Sequence, residues 1–190
     1  MREPTISAHP ACARRLLDVV AAAEPRLVSM SDDEAARSPA PGKWSPKEIV
    51  GHLIDSASNN HQRFVRAAWQ DDLVFSTYAQ DGWVEIQGYR SADWRDLVTL
   101  WASFNRHVAR VMMSMPDDVR TRMRACHNLD RIAWRPVPAT QPVTLDYFMD
   151  DYVGHLEHHL RQVLGTTWAD RLPDSARPRA EMPSVRRRGR

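Results

Sequence analysis

The chain has 190 residues, 43% hydrophobic and 26% charged, which suffices for one packed core and is short for two. A formal net charge of +2 points to no acidic partner. That charge is unevenly placed, because residues 171–190 hold seven Arg against Asp174 and Glu181, leaving residues 1–170 at about −3. Cys12 and Cys126 stand far apart, which argues against a disulfide framework or a thiolate zinc site and favours a reducing compartment. No run of roughly 18 to 20 apolar residues is present for a membrane helix. The opening stretch MREPTISAHPACARRLLDVV lacks the long apolar run of a secretory signal, so the expected location is cytoplasmic.

Leu16, Leu17, Val20, Ala23 and Leu27 recur at helical spacing and predict a first helix over 11–28, bent near Pro25. The loop SPAPGKWS ends in Ser45-Pro46, a capping serine followed by proline at the first helical position, and opens a second helix that runs to about Gln70. Residues 71–90 show no sustained period and read as a long loop, after which Ser91 is expected to cap a third helix from Ala92 to about Met115, stopped by Pro116. Residues 117–143, rich in Arg and Pro, read as a second irregular connection with a short extended piece at 131–136. Thr144 caps a fourth helix to about Leu164, before Gly165. Beyond Asp170 the composition predicts a disordered basic tail, and the RRRGR end reads as a flexible solubilising segment rather than a nucleic-acid site.

Four long helices without a strand pattern predict an all-α four-helix bundle. Its two long connections, after the second and third helices, should cross the bundle or cover a site.

The fourth helix concentrates histidine in the stretch YVGHLEHH, Tyr152–His159. His155 and His159, four apart, lie about 40° apart around the axis and can chelate one ion; His158, about 60° away on the other side, can take the place of His159 or simply face solvent. Imidazole is a common metal ligand because its neutral form offers a directional lone pair. Leu156 follows His155, so this is no HExxH protease motif, and the chain lacks the Glu-x-x-His pairs of di-iron bundles. A third ligand should come from the second helix. His52 and His61 face opposite sides there, being nine residues apart, and the apolar neighbours Ile49 and Leu53 favour His52. His52 lies near the start of its helix and His159 near the end of its own, so their depths match only if the two helices are antiparallel. An up-down-down-up order, with the loop after the second helix returning the chain, meets that condition.

The segments KWSPKEIVGHLIDSASNNHQRFV (43–65) and DYVGHLEHHLRQV (151–163) resemble the DinB/YfiT-like superfamily, which includes metal-dependent hydrolases and thiol-dependent S-transferases. The resemblance brackets a domain within residues 1–170. It implies an up-down-down-up bundle, often a homodimer, holding one divalent metal through His52, His155 and His159. Three nitrogens with one open position is the pattern of a catalytic zinc; Zn2+ and Ni2+ both suit imidazole. Such a site activates water or a low-molecular-weight thiol toward a small-molecule substrate.

Asp55, one turn from His52, is the candidate catalytic acid or base. Asp151, one turn from His155, can orient that ligand or be a solvated surface carboxylate. Trp44, Asn59, Tyr78 and Trp83 are candidate substrate-binding residues, and Arg122, Arg124 and Arg131 are candidate cations for a carboxylated thiol. His9, His107 and His127 read as surface or satisfied core histidines. The alternative to an enzyme is a non-catalytic metal-binding or sensor bundle.

Overall fold

The structure, a computed structural model, describes residues 10–171; His9 and the predicted basic tail lie outside them. In chain order the helices are α1 (Ala11–Val28), α2 (Asp32–Ala36), α3 (Pro46–Ala67), α4 (Gln80–Ile86), α5 (Trp94–Ser114), α6 (Asp117–Thr121), α7 (Leu129–Ile132) and α8 (Leu145–Leu164). Among the described residues there is no strand, only two isolated bridges, and no helix is long and apolar enough to cross a membrane.

Local chemistry sets the ends of the long helices. Ser45 accepts from the Glu48 amide while Glu48 reaches back to the Ser45 amide, a reciprocal capping box with Pro46 behind it. Thr144 caps α8 through the Tyr147 amide, and Gly165, at φ 81°, ends it. The cap of α5 is Asp93 rather than the expected Ser91: Asp93 accepts from the Asp96 amide, whereas the Ser91 hydroxyl turns back to the Gly88 carbonyl inside a 3-10 turn. The first long connection contains α4, and the second contains α6 and α7. The predicted extended piece at 131–136 instead begins inside α7. These helices of four to seven residues are too short to produce a legible period.

The helix directions follow from contacts between their ends. The Trp94 indole, at the start of α5, donates to the Leu27 carbonyl at the end of α1 (2.8 Å), so those helices are antiparallel. Lys47, at the start of α3, donates to the Ala92 carbonyl just before α5 (2.8 Å), so α3 and α5 are parallel. Arg15 of α1 meets Asp150 and Glu157 of α8, and the start of α3 meets the end of α8 through the histidines. The bundle is therefore up-down-down-up. Around it α1 packs on α5 and α8, and α3 packs on the same two, with Leu16, Leu53, Phe64, Trp101 and Phe148 in the shared core. Burial of each such side chain contributes about 1.5–3 kcal/mol.

The long connections are stitched to each other and to the bundle. Leu73 donates to the Cys126 carbonyl (3.0 Å) and accepts from the Asn128 amide (3.2 Å), while Arg124 and Val143 exchange two backbone bonds (2.8 and 3.0 Å). The Asn128 side chain adds a bond each way to the Phe75 backbone. Tyr89 lies across Gly51 of α3 so closely that a Cβ there would sit 2.2 Å from its ring.

Arg15 clamps Glu157 with two bonds (2.7 and 2.6 Å), and Glu157 is 1% exposed. Arg15→Ala, which strands that carboxylate, is expected to lower unfolding free energy in urea by about 3–5 kcal/mol, and Arg15→Ala combined with Glu157→Gln by clearly less. Gly51→Ala, which must displace the Tyr89 ring, is expected to cost about 1–3 kcal/mol in the same measurement.

Candidate metal centre

The antiparallel run of α3 and α8 places the early His52 beside the late His155 and His159. One ligand nitrogen from each lies within 4.8 Å of the others. The His52 and His155 Nε2 atoms are 3.3 Å apart. The rings meet edge to face, with centroids 5.2, 4.8 and 4.6 Å apart. Tetrahedral zinc at roughly 2.0–2.1 Å from each imidazole would hold nitrogens about 3.3–3.4 Å apart, so the closest pair is already at ligand spacing.

Hydrogen bonding and burial favour the neutral ligand form. Gln162 Oε1 can only accept, so His159 donates to it from Nδ1 (3.0 Å), leaving the Nε2 lone pair for the cluster. The Ser56 hydroxyl stands 3.4 Å from His155 Nδ1 and can accept a hydrogen bond from it in the same way. Burial, reinforced by the positive charge His159 would carry, holds His52 down to about 4. Burial and then the neighbouring imidazoles push His155 well below the ordinary histidine range, and burial lowers His159 too. His52 Nδ1 is buried without a partner. The donor set, three converging neutral imidazoles with no carboxylate or cationic side chain among them, fits a divalent ion.

His158 is not part of this group. It accepts at Nε2 from the Gln162 amide (3.2 Å) and lies against Trp134, centroids 5.5 Å apart. His61, on the opposite face of α3, meets His107 of α5 with Nε2 atoms 3.2 Å apart, so His107 has a histidine partner that the linear spacing did not show. His127 is buried and bonded to the Gln141 carbonyl and the Leu129 amide.

A cavity of about 350 Å³ opens from His155 and His159. Tyr78 is on its wall; Asn59 and Trp83 are not. The Asn59 amide bonds the Asp55 carbonyl one turn back on its own helix (2.9 Å), and Trp83 packs behind Tyr78 (4.9 Å). Trp44 touches the other side of the cluster, its ring 5.1 Å from that of His52. Sequence reading overlooked Ser56, Asn60, Arg63, Trp134 and Gln162. A helical wheel carried on from His52 through Ser56 to Asn60 and Arg63 would have found three of them, whereas Trp134 arrives through a loop with no period.

Asp55 is buried, and its Oδ1 accepts from the Tyr89 hydroxyl (2.7 Å) and the Gln87 amide (2.6 Å). Burial raises its pKa against those two bonds, and Oδ2 has no partner. It is not on the wall of this cavity; Tyr89 and Gln87 hold the carboxylate toward the first connection. Asp151 is neither solvated nor bonded to His155. At 2% exposed, it accepts from the Trp134 and Arg135 amides (2.9 and 2.8 Å) and so pins the second connection over the cavity. Of the three arginines expected to serve a thiol, Arg131 reaches the cavity, Arg122 pairs with Asp71, and Arg124 is buried against the Ala67 carbonyl.

Comparison with known proteins agrees with this architecture. YfiT of Bacillus subtilis (strain 168), whose name describes a metal-dependent hydrolase, is 21% identical over 150 residues, covering 78% of this chain and 79% of YfiT. A solved structure of YfiT, described as a probable metal-dependent hydrolase with an unusual four-helix bundle topology, superposes with a TM-score of 0.67 at 19% identity, over 88% of this chain and 91% of YfiT. The sequence pattern of the DinB superfamily matches residues 15–163, which is most of the chain and includes all three clustered histidines; the chain belongs to that superfamily.

Proposed function

We propose that this chain is a divalent-metal hydrolase acting on a small molecule, with His52, His155 and His159 as the ligands of one Zn2+ or Ni2+ ion. The observation that carries the reading is the convergence of three imidazole nitrogens within 4.8 Å, from a buried His52 and half-buried His155 and His159, at the end of a cavity of about 350 Å³. Bound there, the ion would act as a Lewis acid toward a substrate carbonyl and lower the pKa of a nucleophile.

The remaining work falls to the chain's own side chains. Gln162 sets the tautomer of His159 through its accepting oxygen, and Ser56 steadies His155. Trp134 and Tyr78 wall the cavity against bulk water. Tyr78, raised to about 12 by burial and then by Asp55, stays a neutral hydroxyl that can donate but does not titrate near neutrality. Asp151 is committed to the loop backbone, so the imidazole on the wall outside the ligand set, His158, is the side chain placed to relay a proton. Asp55 acts in this reading as a positioning residue, fixing Tyr89 and Gln87 behind α3. A low-molecular-weight thiol in place of water is the second reading, favoured by the cationic side of the cavity at Arg63 and Arg131.

Mass-spectrometric metal analysis of untagged protein is expected to find about one ion per chain, lost in His52→Ala and His159→Ala and kept in His158→Ala. In a screen of ester and amide substrates, His158→Ala is expected to lower kcat by about 10²- to 10⁴-fold. Full metal occupancy without turnover of any water- or thiol-dependent substrate would instead indicate a metal-holding bundle.

The metal-free protein should be acid-sensitive. Between 6.5 and about 4 for His52, the unfolded chain binds protons that the folded chain refuses, so stability is full above that window and falls as pH drops through it. Urea midpoints measured across this range should decline toward acid, and less steeply in His52→Ala; a flat profile would contradict the neutral, buried cluster.

A further inference from the structure

Arg63 is a buried cation without an anion among the described residues. It lies on α3 and is 6% exposed; its guanidinium donates to the Ser76 carbonyl (2.7 Å) and, at 3.4 Å, to Asn60 Oδ1. Two of its five N–H donors are thereby used, and among the described residues no carboxylate pairs with it, although Arg15, Arg120 and Arg135, also drawn partly into the protein, each hold two. Burial lowers the Arg63 pKa, as expected for a charge that its surroundings do not compensate.

This side chain lines the same cavity as His155 and His159, with Arg131 also on the wall. The one acidic residue among the described residues on that wall, Asp151, is already held by Arg135 and two loop amides. Along α3, Arg63 is seven residues beyond Ser56, which touches His155, a separation of about 10 Å on the helix axis. The cavity is therefore metal-ligating at one end and cationic at the other.

We propose that Arg63 anchors a carboxylate on an elongated small substrate, holding it so that the reacting bond lies at the histidine end. A planar fork of free N–H donors matches a carboxylate, and the ligand supplies the negative charge that the fold leaves out. The inference rests on the proposed metal-hydrolase reading for what happens at the far end of the cavity, though not for the anchor itself.

The test uses two probes of equal carbon chain length, one ending in a carboxylate and one in a neutral hydroxyl, 6-mercaptohexanoate and 6-mercaptohexan-1-ol, titrated calorimetrically into zinc-loaded and chelator-stripped protein. The wild type is expected to bind the carboxylate about tenfold or more tightly than the alcohol, with or without zinc. Arg63→Gln should bring that ratio close to one without changing alcohol affinity or zinc content, and Arg63→Lys, which keeps the charge but loses the fork, should fall between. A thermal melt of each variant separates loss of the anchor from loss of the fold. Equal affinities in the wild type would overturn the proposal. So would an unchanged ratio in folded Arg63→Gln, or a ratio abolished by Arg131→Gln alone. Zinc dependence is read separately: if stripping zinc weakens neither probe, the metal reading fails while the charge ratio still reports on Arg63.

Discussion

The site depends on one constraint, that α3 and α8 run antiparallel. Parallel, His52 near the start of one helix and His159 near the end of the other would be separated by roughly the distance between those depths, about 10 Å or more. Antiparallel, their rings meet at 4.8 Å. A bundle with only short connections alternates direction and would make the second and fourth helices parallel. The chain avoids that by spending residues 68–93 on a return path, and the Lys47–Ala92 bond marks where that path ends, beside the start of α3.

Bringing three imidazoles out of water carries an electrostatic consequence. Charged, they would repel one another without a carboxylate among them to compensate, so burial holds them neutral. The cluster is consequently a set of lone pairs, shaped by Gln162, one turn from His159 on α8, and by Ser56, which meets His155 from across the seam on α3. The opposite arrangement operates on the α1–α8 seam, where Arg15 and Glu157 are both charged and closely paired. One face of α8 thus turns neutral imidazoles toward α3, and another turns a carboxylate toward α1.

The irregular connections belong to the site as much as the helices do. Asp151 binds the backbone at Trp134 and Arg135, and Trp134 packs so closely on Gly154 that a Cβ there would come within 3.0 Å of its ring. Arg63 reaches across to the Ser76 carbonyl in the other connection. Carboxylates and cations that look like surface decoration in a linear reading are used to hold loops over a cavity. A helical wheel places such a residue on a face but says nothing of which loop returns to meet it.

Several features were legible without coordinates because they are local. The capping residues Ser45 and Thr144, the helical period between them and their stops, and the four-residue spacing of His155 and His159 are consequences of backbone geometry within a turn or two. The helix direction could be argued from matching depths, since distance along an axis is also a local quantity. The unpaired state of Arg63, the engagement of Asp55 by Tyr89 and Gln87, the burial of Asp151 and the meeting of His61 with His107 could not be argued that way. Each joins residues 16 to 46 positions apart or depends on a partner being missing. The sequence by itself determined four helices and the residues able to ligate a metal; tertiary structure alone decided which charges found partners, because pairing is set by how loops return and not by the turn on which a residue sits.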